Sequence, residues 1–218
     1  MPTGGESDAH RNLKRLALGW ARARRLVLAA TEVKLPRAAY RADVAAATPR
    51  ILSEGALTAV FECKASRADF QRDSAPEERA KVAALARRLD ALRALIAAHR
   101  PDLRRGEELF AEFDAYDLRG LKHETHDRLA ADLQTAQRKL HEGTKFAKLG
   151  RWQAASLLYV VTEEGVMEPS EVPDGWGWLV RRGEGLELLV RPGLNPGTPE
   201  QRVALLERIA ARAGRPVA

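Results

Sequence analysis

Residues 60–70 read "VFECKASRADF". The stretch starts apolar, turns to an acid and a lysine two positions apart, and ends on a Ser-x-x-Asp pattern. Side chains of a strand alternate between its two faces. A strand here places Glu62 and Lys64 on one face and Phe61 and Cys63 on the other. The run begins further back, as "ALTAVFECKA" at 56–65. It is continuous and apolar enough to sit in the middle of a sheet. Ser66, with Asp69 three residues on, reads as a helix N-cap, which starts a helix near 67.

Working outward, "YRADVAAAT" at 40–48 is a second strand candidate, and Pro49 with "SEG" at 53–55 marks the turn between the two. "LVLAATEVKL" at 26–35 is a third, ended by Pro36. Before it, residues 10–25 carry Leu13, Leu16, Ala17 and Trp20 on one helical stripe. After Asp73 the pattern becomes helical. Val82, Leu85, Leu89, Leu92 and Ile96 alternate three and four apart, and so do His126, Leu129, Leu133, Ala136 and Leu140. Two such seams predict an antiparallel helical hairpin. Its connection, "EELFAEFDAYD" at 107–117, sets three aromatics among acids and is a candidate docking tip or dimer contact; the other reading is a helical cap over the sheet. Strand-like runs return at 155–162, 171–182 and 185–192. A last helix at 198–214 has Thr198 as cap, Pro199 at its first position and Gly214 past its end. Sheet elements therefore bracket a helical block, giving an α/β core over 1–73 and 145–218 interrupted by 74–144.

Composition narrows the classes. The chain has 218 residues, is 45% hydrophobic and 30% charged, and has a single cysteine, Cys63. That excludes disorder throughout, an internal disulfide and a cysteine-based zinc cluster. No uncharged apolar stretch is long enough to span a bilayer and no signal-peptide core is present, so a cytoplasmic protein without membrane attachment is expected. Net charge is +6. Residues 1–73 hold thirteen Lys/Arg against eight Asp/Glu, while the other two segments are close to balanced. A basic excess favours a polyanion, and it falls on the segment that carries Glu62 and Lys64.

The spacing suggests a chemistry. If strands 40–48 and 56–65 are antiparallel neighbours, Asp43 lies near Glu62. Two carboxylates and the backbone carbonyl of Cys63 suit a hard cation that keeps several waters. Mg²⁺ or Mn²⁺ there lowers the pKa of a bound water and polarises a phosphoryl oxygen, with Lys64 positioning the water or neutralising developing charge. A solvated ion pair is the bland alternative. Other residues keep two readings each. Arg67 touches phosphate or pairs with Asp69. Arg41 is a phosphate-contact candidate. Ser66 is most simply a cap. His123 and His126 share a metal or belong to the seam. Trp176 and Trp178 stack on bases or pack inside. Cys63 is a small core residue.

"YRADV" followed by "VFECKASRADF" resembles the PD-(D/E)XK nuclease superfamily, and within it most closely the MmcB-like DNA-repair branch. The resemblance covers 32–73, resumes loosely over 145–190 at Lys145–Phe146, Trp152, "LLYVV" and "GWGWLV", and leaves 74–144 as an insertion. Ala42 stands where the superfamily name has proline. The resemblance implies a restriction-endonuclease-like core, a mixed sheet flanked by helices, with an inserted hairpin. It implies Asp43 and Glu62 as Mg²⁺ ligands, Glu32 as a further acid and Lys64 as the catalytic lysine. The expected function is Mg²⁺-dependent endonucleolytic hydrolysis of DNA in repair or processing. The alternative is a non-catalytic nuclease-fold module that binds DNA, or recruits a protein or a second copy through the hairpin.

Overall fold

In a computed structural model of the chain, residues 7–36, 38–71, 76–103 and 123–214 are described. The connection at 107–117 lies outside them. Six strands form one mixed sheet in sequence order. They are β1 (Leu28–Lys34), β2 (Arg41–Ala47), β3 (Thr58–Lys64), β4 (Leu157–Thr162), β5 (Gly177–Arg182) and β6 (Gly185–Val190). β3, β4 and β5 run parallel to one another, and the remaining neighbours are antiparallel. β3 is the apolar run expected to be central: six of its seven residues are buried.

Helices cover both faces. On one, α1 (Asp8–Ala23) lays Leu13, Ala17, Trp20 and Ala21 against Val44, Phe61, Cys63, Tyr159 and Val161. The Phe61 and Tyr159 rings stack at 4.9 Å, and Trp20 meets both edge-on. Cys63 is buried on this face, as strand alternation requires. Gly177 permits the approach of β5, because a Cβ there would lie 2.7 Å from the Tyr159 ring. On the opposite face α2 (Arg67–Gln71), α5 (Lys145–Arg151) and α6 (Pro199–Ala213) contribute Phe70, Phe146, Leu149, Leu205 and Ile209. Trp176 and Trp178 belong to this core, and Trp178 donates to Thr162 Oγ1 at 2.9 Å, so both are packing residues. The 171–182 stretch is strand only from Gly177; residues 169–171 form a single 3₁₀ turn, capped by Glu168 and Glu171.

The two seams meet. Val82 and Leu85 of α3 (Pro76–His99) pack on Leu140, Ala136 and Leu133 of α4 (Glu124–Leu140), so the helices run antiparallel. The start of α3 thereby lies at the end of α4. That end is tied to the core by His141, whose Nε2 bonds Glu171 O at 2.8 Å and whose ring meets Phe70 and Phe146. His126 is buried in the hairpin; among the described residues no cluster of three or more His, Cys, Asp or Glu that could hold a metal ion is found. No helix among the described residues is long and apolar enough to cross a membrane.

Candidate active site at the fork between β2 and β3

The β2–β3 ladder pairs Ala47 with Thr58 and ends at Val44 with Phe61, whereas β1–β2 pairing continues to Lys34 and Arg41. Past Val44, therefore, β2 follows β1 and leaves β3. Asp43 turns its carboxylate into the opening: Oδ2 accepts the Cys63 N–H at 2.7 Å, replacing the missing rung. Cys63, expected to lend its carbonyl, offers Asp43 its N–H. Oδ1 of Asp43 lies 3.2 Å from His10 Nε2 on α1. Burial alone would push the Asp43 pKa up. The hydrogen bonds of His10 and the Cys63 N–H, with the charges of His10 and Lys145, outweigh it and hold the group below the usual aspartate value.

Glu62 takes the opposite course. It is 3% exposed on the α5 side of the sheet. Oε2 accepts from Lys145 Nζ at 2.7 Å, while Oε1 is buried with no hydrogen-bond partner. Desolvation, and next the negative charge of Asp43, push its pKa up to about 8, against the pull of Lys145 and Lys64. The negative charge of Asp43 thus reaches Glu62. Lys64 stands at the end of the same strand face. Its Nζ is 3.8 Å from Asp69 Oδ1 and 5.8 Å from the centre of the Phe146 ring. Asp43 and Lys64 both bear on the charge of Glu62, and Lys64 also pairs with Asp69.

Glu32 lies opposite Asp43 in the β1–β2 register, between the pairs Thr31–Val44 and Val33–Ala42, with φ at +54°. Its carboxylate is held by Lys14 Nζ at 2.6 Å and by Arg41 at 3.5 Å. Arg41 thus sits on the rim with most of its side chain in solvent. Arg67 departs from the reading that pairs it with Asp69. Its guanidinium forks onto Glu171, with NH2 to Oε1 at 2.7 Å, NH1 to Oε2, and a further bond from NH1 to Val166 O. It ties α2 to the loop after β4 and does not pair with Asp69. Ser66 caps α2, accepting the Asp69 N–H at 3.2 Å.

Three basic residues at the site, His10, Lys14 and Lys145, have no site role assigned from the sequence. His10 and Lys14 are four apart on α1, beside its apolar stripe, so they share a face that reaches β1 and β2. Lys145 opens α5, and besides Glu62 it donates to Arg41 O at 2.5 Å. Its position just before Phe146, which buries itself under β3, is the one clue that its side chain lies near Glu62.

No family model matches the sequence, and no curated protein matches it. Among solved structures the chain is similar to one described as SPO1766, a protein of unknown function from Silicibacter pomeroyi. The TM-score is 0.51 at 17% identity, over 96% of this chain and 88% of that one. At that identity the likeness is one of fold, and function has to be argued from the site.

Proposed function

We propose that the protein is a Mg²⁺- or Mn²⁺-dependent nuclease that hydrolyses phosphodiester bonds in DNA, in repair or processing, on a PD-(D/E)XK-type, restriction-endonuclease-like core. The observation that carries the reading is the buried, half-partnered Glu62 carboxylate beside Asp43, with Lys64 on the same strand face. An orphaned carboxylate oxygen at the edge of an opened sheet is costly unless a cation completes it. Two carboxylates, with water filling the other positions, suit a small hard divalent ion. Asp43 and Glu62 would hold that ion, which when bound supplies Lewis-acid polarisation of a phosphoryl oxygen and a more acidic water.

The chain's own groups have separate tasks. His10 and the Cys63 N–H keep Asp43 ionised and fixed. Lys145 holds Glu62 from the α5 side. Lys64, an ammonium at the strand end, orients the attacking water or offsets the negative charge that grows on the phosphate oxygens. Arg41 and Lys145 add positive charge where a phosphate backbone approaches.

The test is nicking of supercoiled plasmid with Mg²⁺ or Mn²⁺ by the native chain, Asp43→Asn, Glu62→Gln and Lys64→Ala. Each substitution is expected to slow nicking by about a hundredfold or more. Four equal rates would end the enzyme assignment.

A further inference from the structure

α5 carries three basic residues and no acid over Lys145–Arg151. Lys145, Lys148 and Trp152 recur three and four apart, so they form one stripe along the helix and its C-cap. That stripe faces the segment entering β2. Lys145 reaches Arg41 O and Glu62, Lys148 Nζ donates to Tyr40 Oη at 3.0 Å, and Trp152 lies against Tyr40 with ring centres 5.8 Å apart. A track therefore runs from the carboxylates outward: ammonium, ammonium with phenol, then indole. Trp20, Trp176 and Trp178 are at most 8% exposed, but Trp152 keeps 47% of its surface in solvent. A large aromatic left open at the end of an all-basic stripe is poorly explained by core packing. It matches what single strands use, a positive path for the backbone with an aromatic platform for a base.

We infer that the site takes a DNA strand with unpaired bases, its backbone following Lys145 and Lys148 and a base next to the attacked phosphate stacking on Trp152 and Tyr40. The inference rests on the nuclease reading above and specifies its substrate. In a duplex the flat faces of the bases are hidden within the stack, so the platform has nothing to hold; a single strand, an overhang or a flap presents them.

The experiment measures binding without cleavage. In EDTA, labelled oligo(dT) and a blunt duplex of equal length are titrated with the native chain, Trp152→Ala and Trp152→Phe. Tryptophan emission is followed alongside. The native chain is expected to bind the single strand about tenfold more tightly than the duplex and to lose part of its emission on doing so. Trp152→Ala should weaken single-strand binding about tenfold and leave the duplex unchanged, while Trp152→Phe retains most of the affinity. Circular dichroism checks that the variants fold. Native-like single-strand binding by Trp152→Ala, or a native preference for duplex, overturns the inference while leaving plasmid nicking to decide the nuclease reading. A native chain that binds neither form in EDTA also overturns the inference, and nicking still decides the nuclease reading.

Discussion

Two glutamates are buried to nearly the same depth and live in opposite circumstances. Glu171, 4% exposed, sits in the loop after β4 with every oxygen engaged: Arg67 forks onto both, and the Glu168 N–H adds a bond to Oε2 at 2.9 Å. Glu62, 3% exposed, has Lys145 on one oxygen, nothing on the other, and a second acid beside it. Burying a carboxylate is tolerable when charge and hydrogen bonds are complete, and Glu171 meets that condition within the chain. Glu62 does not. The difference separates a carboxylate that ties a loop down from one whose hydrogen bonding is left incomplete by the described residues.

The comparison breaks most visibly when a partner is removed. Arg67→Ala strips Glu171 of its counter-charge and should cost about 3 kcal/mol in chemical denaturation. Nicking per folded molecule should stay native-like. If stability is unchanged, the two acids are more alike than their contacts imply.

Next is pH. Glu62 binds its proton more tightly in the folded chain, with a pKa near 8 against an ordinary 4.5. Its contribution to metal-free stability is therefore full below about pH 4.5 and is lost as pH rises through about 8. Glu62→Gln should remove that part of the slope, and Glu171→Gln should leave it. Because metal ligands must be deprotonated, nicking by the native chain should climb over the same range as Glu62 ionises. A melting temperature whose pH dependence is identical in native and Glu62→Gln chains would contradict this. Asp43 has the opposite sign: its pKa is lowered, so its contribution is present above the ordinary aspartate value and lost as pH falls through the folded one.

The smallest effect sharpens the site side. His10→Ala removes one of the two hydrogen bonds on Asp43 and should cost about 1 kcal/mol, with the Asp43 pKa moving up as measured by carboxyl NMR titration. An unmoved Asp43 would leave the Cys63 N–H as its main support.

Local pattern made the strands, the hairpin seams and the terminal capping box legible, since each rests on residues near one another in sequence. β3 ends at Lys64 and α2 starts at Arg67, where the apolar run and the Ser66 cap put them. Glu62 and Lys64 were legible as a same-face pair because their spacing is a strand property, whereas Asp43 depended on a conditional pairing of two strands. What was not legible depends on packing across distance. Arg67 meets Glu171 104 residues away, and no spacing signals that pair. His10 and Lys14 reach the site because an apolar stripe docks α1 over β1 to β3, and their own neighbours in sequence say nothing of acids. The divergence of β2 from β3 is likewise invisible in composition, although it creates the opening in which Asp43 sits.

The parallel pairing of β3 with β4 has one more consequence. Two strands pointing the same way cannot be joined by a tight turn, so the polypeptide between Lys64 and Leu157 must leave the sheet and travel back before rejoining it. An excursion spliced into that return journey alters path length without shifting a single rung, and doubling a connector adds only about 0.6 kcal/mol of closure entropy. The α3–α4 arm is mounted at a junction where the connector can be lengthened, trimmed or exchanged while the strand register around Asp43 and Glu62 stays as it is.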